Sequence, residues 1–180
     1  MNHISPEELR KLLRYDAETG ALTWLPRPAT MFRTARDCRA WNTRYSNKPA
    51  MTSDNGIGYR VGKIGRRLYC AHRVAWTIIH GRWPDGQIDH MNGIRSDNRL
   101  TNLREVTASE NAKNTSMRAA NKSGHTGVFW DRRKGKWSAS MRSNGKSYFL
   151  GYFTEIEDAV AARSLAESGH GFHQNHGRRT

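Results

Sequence analysis

Residues 89–111 read DHMNGIRSDNRLTNLREVTASEN, with one histidine, two aspartates, four asparagines and no apolar run. A stretch so poor in large apolar residues does not build a core. It reads as a polar loop framed by short elements. IDHM (88–91) suits a strand, and NLREVT (102–107) suits a second one. Thr107-Ala108-Ser109-Glu110 is a capping box, which predicts a helix from near Ala108 towards Ala120. The local order is strand, loop, strand, helix. Asn92-Gly93, Asp97 and Asn98 suit turns within the loop. Turn chemistry alone does not account for Asp89-His90 placed ahead of a capped helix that carries Asn111.

The same residues suit phosphodiester hydrolysis. That reaction needs a nucleophile made from water and a cation on the developing charge. A neutral histidine is the usual base near neutral pH. A hard cation takes a few oxygen ligands and keeps positions open for phosphate and water. Asp89 and His90 are neighbours on a strand, so their side chains point to opposite sides. One is then placed to hold a metal ion while the other faces a water. Asn111 on the first turn of the helix offers an amide oxygen, and Asn102 opens the second strand. Arg95, Arg99 and Arg104 are candidate phosphate contacts, with a solvated loop as the plainer reading.

Upstream, Ser5-Pro6-Glu7-Glu8 starts a short amphipathic helix through Leu9, Leu12 and Leu13. ALTWL (21–25) reads as a strand. The basic segment 26–56 reads as a long irregular loop. GYRVGKIGRRLYCAH (58–72) reads as a hairpin turning at Gly65-Arg66. RVAWTIIH (73–80) reads as a helix stopped by Gly81 and Pro84, with Trp76 and Ile79 packing on the hairpin. His72 and His80 flank that helix and read as structural.

Downstream, GVFW, KWSASMRS and KSYFLGYF read as three strands, the last two joined at Asn144-Gly145, a strong hairpin signal. Thr154-Glu155-Ile156-Glu157 reads as a capping box for a helix ending at Gly169. Alternation puts Ala139, Met141, Tyr148 and Leu150 towards that helix, and Ser140, Arg142, Ser147, Phe149 and Phe129 outward. Trp130 and Trp137 read as core. The polar tail with His170, His173 and His176 reads as solvated.

The 180 residues carry a net charge of +14 at a pI near 10.5, which calls for a polyanionic partner. Residues 1–111 hold 18 Lys+Arg against 11 Asp+Glu, and residues 112–180 hold 12 against 5, so each part carries +7. Both parts are therefore suited to one nucleic acid. Only 36% of the chain is hydrophobic, which favours two small cores over one large one. No apolar run reaches the roughly 18 residues of a membrane span, and the start of the chain is too polar for a secretory signal. Cys38 and Cys70 form no CxxC pair, which suits a reducing cytoplasm over a zinc ribbon or a disulfide framework.

Asp-His, Asn-Gly, Asp-Asn-Arg, Asn-Leu-Arg and Glu-Asn, in this order, resemble the HNH nuclease motif of phage homing endonucleases. The resemblance covers about 59–114, including AHRVAW…HGRWPDG, and extends to LRKLLRYDAETGALTW near the start. It implies a ββα-metal fold and a metal-dependent DNA endonuclease or nickase of the homing type. His90 takes the place of the general base and Asp89 that of a metal ligand. Asn102, 12 residues after His90, steadies the loop and orients the base. Asn111, 9 residues further on, is the second ligand, in a variant with asparagine at the last position. Two oxygen ligands favour magnesium or manganese over zinc.

Residues 124–171 resemble the plant APETALA/ethylene-response-factor DNA-binding domain through Gly127-Val128, Lys136-Trp137, Ala139, Arg142, Leu150-Gly151, Phe153 and Ala159…Ala161-Ala162. The resemblance implies a sheet face on duplex DNA, with Arg132, Arg133, Lys134, Lys136, Arg142 and Phe149 among its contacts. Where the plant domains carry arginines on the first strand, this chain has Phe129 and Asp131.

The expected fold class is α+β: a ββα-metal nuclease domain followed by a small three-stranded antiparallel sheet packed on one helix. The expected boundaries are 1–58 for a helix, strand and basic loop, 59–120 for the nuclease domain, 121–171 for the sheet domain and 172–180 for a basic tail. The expected partner is double-stranded DNA, bound by a monomer or dimer in the cytoplasm of a host, with one divalent ion. A DNA-binding regulator that uses the nuclease fold only as a scaffold is the alternative.

Overall fold

The computed structural model describes residues 3–179. It is a mixed α/β chain with several small sheets, divided into two compact units, Met1–Glu105 and Val106–Thr180. The division falls inside the span expected to form the nuclease domain.

In the first unit, α1 (Pro6–Leu12) starts at a complete capping box: Ser5 Oγ accepts from the Glu8 amide, and the Glu8 carboxylate accepts from the Ser5 amide. It leads into β1 (Leu13–Tyr15), which pairs antiparallel with β2 (Leu22–Trp24). The segment expected to be irregular contains a helix, α2 (Ala35–Tyr45). Thr34 caps it by accepting from the Asp37 amide, and Arg27 lies 3.9 Å from the centre of the Trp41 ring. This cation–π contact ties the helix back to the preceding turn, so the segment folds despite its charge.

Three short antiparallel strands follow, β3 (Ser53–Asp54), β4 (Arg60–Ile64) and β5 (Arg67–Cys70), in spatial order β3-β4-β5. Helix α3 (Ala71–His80) then runs until Gly81 takes the left-handed conformation, φ 68°. Val74 and Ala71 of α3 share a core with Leu9, Leu12, Leu13, Leu22, Ile64 and Tyr69. Ala75 joins Ile88 and Leu103 in a second cluster, against which Trp76 packs. Ile79 is exposed instead of packing on the hairpin. The second cluster fixes β6 (Gln87–His90) and β7 (Leu103–Val106), which pair as a two-stranded sheet.

In the second unit, α4 (Ala108–Ala112) begins at the Thr107–Glu110 capping box and ends after five residues, well short of Ala120. Strands β8 (Val128–Asp131), β9 (Lys136–Ser143) and β10 (Lys146–Phe153) form an antiparallel sheet with β9 in the middle. Asn144 and Gly145 both have positive φ (50° and 77°), the conformation a two-residue hairpin turn demands. Helix α5 (Ile156–Gly169) covers one face, burying Ala159 against Val128 and Ala139. Its N-cap is Glu155, without a side-chain cap, so the Thr154 box is not formed. Buried Arg163 donates to Ser140 O and to Glu167 and ties α5 to β9.

Trp137 packs against this core, whereas Trp130 at the sheet edge is 47% exposed and not part of it. The histidine-rich tail is tied to the fold and only partly solvated. Its backbone bonds to residues 113–117 through His173, Gly177 and Arg178, and the His176 side chain is buried near Glu167.

Candidate functional site

Strand β6 carries Asp89 and His90, and both side chains are buried. Their partners come from different directions. Arg104 on β7 donates from Nε (2.9 Å) and Nη2 (2.8 Å) to Asp89 Oδ2. Asn98, in the loop, places Oδ1 3.1 Å from His90 Nε2. With Oδ1 as the acceptor, Nε2 carries the ring proton and Nδ1 carries the lone pair. Burial lowers the His90 pKa, opposed by the Asn98 hydrogen bond and by Asp89 and Asp97. The imidazole is therefore neutral at pH 7, the form a base requires.

Around the ring, His72 of α3 meets His90 edge-on at 5.1 Å between centroids, and Tyr59 lies 5.0 Å from His72 and 5.8 Å from His90. His72 is deeply buried, and its Nδ1 has no hydrogen-bond partner. Desolvation first, then His90 and Arg73, push its pKa down to about 3. It packs His90 as an uncharged ring. Read as merely structural, it has this place beside the base; its signal in the sequence was a histidine at the helix start, too common to single out.

The loop is held by its own polar side chains. Asn102 closes a single turn of 3-10 helix (Leu100–Asn102) just before β7. Its Oδ1 accepts from the Asn92 amide at 2.9 Å and its Nδ2 donates to Asp97 O at 2.8 Å, so one side chain spans the loop. The contact to the His90 ring comes from Asn98, which sequence reasoning assigned only to loop shape. Asp97 accepts from Asn92 Nδ2 and from Nε and Nη2 of Arg99. The Arg99 hydrogen bond is the main cause that lowers the Asp97 pKa to about 2. Arg95 donates to Ile57 O and lies 5.2 Å from the Tyr59 ring.

The start of the chain supports this loop directly. Tyr15 Oη donates to Asn98 O at 2.7 Å, and Leu100 N donates to Ala17 O. Burial raises the Tyr15 pKa to about 12, which keeps this donor protonated. Gly20 (φ 74°) packs so closely that a Cβ there would stand 2.5 Å from the Arg99 nitrogen.

The first unit thus brings together Asp89, His90, Asn102, Arg95, Arg99 and Arg104. Of the three arginines, Arg104 engages Asp89, Arg99 engages Asp97, and exposed Arg95 braces the loop. Asn111 belongs to the second unit, on α4, where its amide donates to Thr107 O. The remaining candidates also lie there: Arg132, Arg133 and Lys134 in the β8–β9 turn, Lys136 and Arg142 on β9, and Phe149 on β10, all exposed.

Residues 69–113 match the family model of the HNH endonuclease. The match runs from the end of β5 through α3, β6, the loop and β7 to the end of α4. It points to nucleic-acid endonuclease chemistry in this segment. The chain is also 31% identical over 78 residues to Protein 3.8 of Escherichia phage T7, an alignment covering 43% of this chain and 64% of that protein. No solved structure matches the chain.

A divalent ion is the cofactor such chemistry uses. Among the described residues no three His, Cys, Asp or Glu side chains cluster as ligands. The buried Asp89 carboxylate offers a hard oxygen, whose chemistry fits a hard cation that keeps water and phosphate in its coordination sphere. No described helix is long and apolar enough to cross a membrane.

Proposed function

We propose that the chain is a metal-dependent DNA endonuclease of the homing type, built on a ββα-metal site. The observation that carries this reading is the buried, neutral His90, held by Asn98 beside the Asp89 carboxylate, within the segment that matches the nuclease model. His90 accepts a proton from the attacking water at Nδ1. Asn98 holds the opposite nitrogen and sets the tautomer. Asn102 fixes the loop that supplies Asn98. Asp89 would hold one magnesium or manganese ion, for which Asn111 is the second ligand that the motif implies, and the ion would supply charge to stabilise the scissile phosphate and the 3′ leaving oxygen. Arg104 holds and orients the Asp89 carboxylate through its two hydrogen bonds. The products are 5′-phosphate and 3′-hydroxyl ends.

The sheet of the second unit binds flanking DNA. Arg132, Arg133, Lys134, Lys136 and Arg142 contact backbone, and Phe149 stands exposed on the same sheet face. Arg95 and the exposed side of Arg99 add phosphate contacts in the first unit. One base per chain suits nicking by a monomer; a double-strand break needs a dimer or two events.

Supercoiled plasmid incubated with magnesium tests this. Nicking that disappears in His90→Ala while DNA binding persists is the expected result. Absence of cleavage by the wild-type chain with magnesium and manganese across several DNAs would overturn it. That outcome would favour the scaffold-type regulator, for which the Asp89–Arg104 ion pair is the supporting observation, since it satisfies Asp89 within the protein.

A further inference from the structure

We propose that the outer face of the C-terminal sheet is a stacking platform for unpaired nucleotides, so that the second unit binds single-stranded or locally melted DNA. The inference deepens the reading of that unit as DNA-binding and does not depend on catalysis in the first.

Strand register defines the face. Val128, Ala139 and Gly151 share the row that packs on α5. The next row is Phe129, Ser138 and Tyr152, and Ser140 lies opposite Phe149. Side chains alternate along a strand, so these rows point away from the helix, as do Lys136 and Arg142. Three aromatic rings therefore stand on one sheet face, with exposures of 50% for Phe129, 61% for Phe149 and 42% for Tyr152. Phe149 and Tyr152 touch edge-on at 5.0 Å. Ser138 between Phe129 and Tyr152 is only 2% exposed, so little polar surface separates these two rings across the middle strand.

Left to itself, such a surface costs solubility, and the charge around it selects the occupant. Residues 128–153 hold six Lys or Arg and one acid. The acid, Asp131, is already occupied: it accepts from the Arg133 and Lys134 amides and from Tyr152 Oη. Cationic side chains beside exposed rings suit a polyanion that also presents flat apolar faces. In a paired duplex the π-faces of the bases are stacked on one another and only their edges are open in the grooves. Edges are read by hydrogen-bonding side chains, and on this face only Lys136 and Arg142, near the two ends of β9, are long charged donors, with serines between them. Unpaired nucleotides expose both the phosphates and the π-faces.

The test uses the full chain with a chelator present, so cleavage plays no part. Three dye-labelled probes are compared by anisotropy: a single strand of mixed sequence, its fully paired duplex, and the duplex with a central unpaired bubble. Phe149→Ala and Tyr152→Ala should each weaken binding to the single strand and the bubble by about tenfold, with the duplex unchanged within error. Phe149→Tyr should retain affinity and Phe149→Leu should lose it, since leucine keeps apolar area but not the ring. Thermal melting of each variant confirms the fold, and Phe149 is exposed enough to be replaced without unfolding the sheet. Equal losses on duplex and single strand would overturn the proposal and place paired DNA on the face. No loss on any probe would overturn it too and leave the face to a protein partner. A chain that never nicks plasmid yet shows the expected pattern refutes the nuclease reading and keeps the platform; a chain that nicks without the pattern does the reverse.

Discussion

The loop after β6 and the outer face of the C-terminal sheet solve opposite problems. Around His90 the polar side chains hold one another in place, with His72 Nδ1 left unpartnered beside the ring: Asn98 on His90, Arg104 on Asp89, Asn102 across the loop, Tyr15 on Asn98. On the sheet the aromatic rings are exposed, and on our proposal it is a nucleotide that covers them. Chemistry needs groups fixed before the substrate arrives, because reorganisation adds to the barrier. Binding of variable nucleotides needs accessible area more than fixed geometry. A substitution in the first region should therefore alter rate or stability, and one in the second should alter affinity alone.

The largest expected effect sharpens the first half of that contrast. His90→Ala should lower plasmid nicking by about 10²–10⁴-fold, while affinity for DNA measured with a chelator stays unchanged. A loss of affinity equal to the loss of rate would make His90 a binding residue and end the contrast. The rate should also depend on pH in a set direction. Because burial lowers the His90 pKa, the base stays neutral below the usual histidine range. Nicking should rise with pH and level off below about 6.5.

Stability should follow pH through His72. Its pKa is near 3 in the fold and near 6.5 when exposed, so the unfolded chain takes up a proton that the folded chain refuses. Unfolding is then favoured as pH falls from about 6.5 towards 3, and stability is level above that window. His72→Phe should flatten part of the fall in urea midpoint between pH 7 and pH 4. An unchanged slope would place the titration elsewhere.

Next in size, the two asparagines should separate. Asn102→Ala removes both ties across the loop and leaves an amide and a carbonyl unsatisfied, a cost of about 1–3 kcal/mol that thermal melting reads. Asn98→Ala should lower the nicking rate more than the melting temperature, because its side chain touches the base. If both variants lose only stability, the contact at 3.1 Å does not set the tautomer.

These paired asparagines also show what the sequence could reveal. Asn98 reads as loop-shaping and Asn102 as opening the second strand, whereas Asn102 closes a 3-10 turn before β7 and bridges the loop. Which of them meets His90 depends on the path of the chain between β6 and β7, and no local pattern encodes that path. The capping boxes at Ser5 and Thr107 are formed, each with its N3 glutamate folded back onto the N-cap amide. At Thr154 the chain begins its helix one residue later, at a Glu155 cap, and the box is lost. Helix α2 was hidden by its charge: the Thr34–Asp37 cap and the Trp41–Tyr45 spacing were present, but the ring that Arg27 covers is a tertiary contact. The three strands of the second unit were plain, since alternation and the Asn144-Gly145 turn are local signals. Trp130 misled because size suggests burial, whereas an edge strand leaves its end residues open.

The smallest expected effect tests whether the sheet face also feels backbone charge. Arg142 is exposed on β9, on the same face as Phe149, and no acid shares its row. If it meets a phosphate, Arg142→Ala should reduce the slope of log affinity against log salt by about one, and should weaken single strand and duplex alike. Phe149→Ala should leave that slope untouched, because a stacked ring releases no counterions. The two variants then differ in kind and not only in size: one shifts the salt dependence on every probe, the other shifts affinity on unpaired probes at every salt. A Phe149 variant that changes the slope would mean the ring positions a basic side chain instead of stacking, and a flat Arg142 result would confine the electrostatic contacts of this unit to the β8–β9 turn.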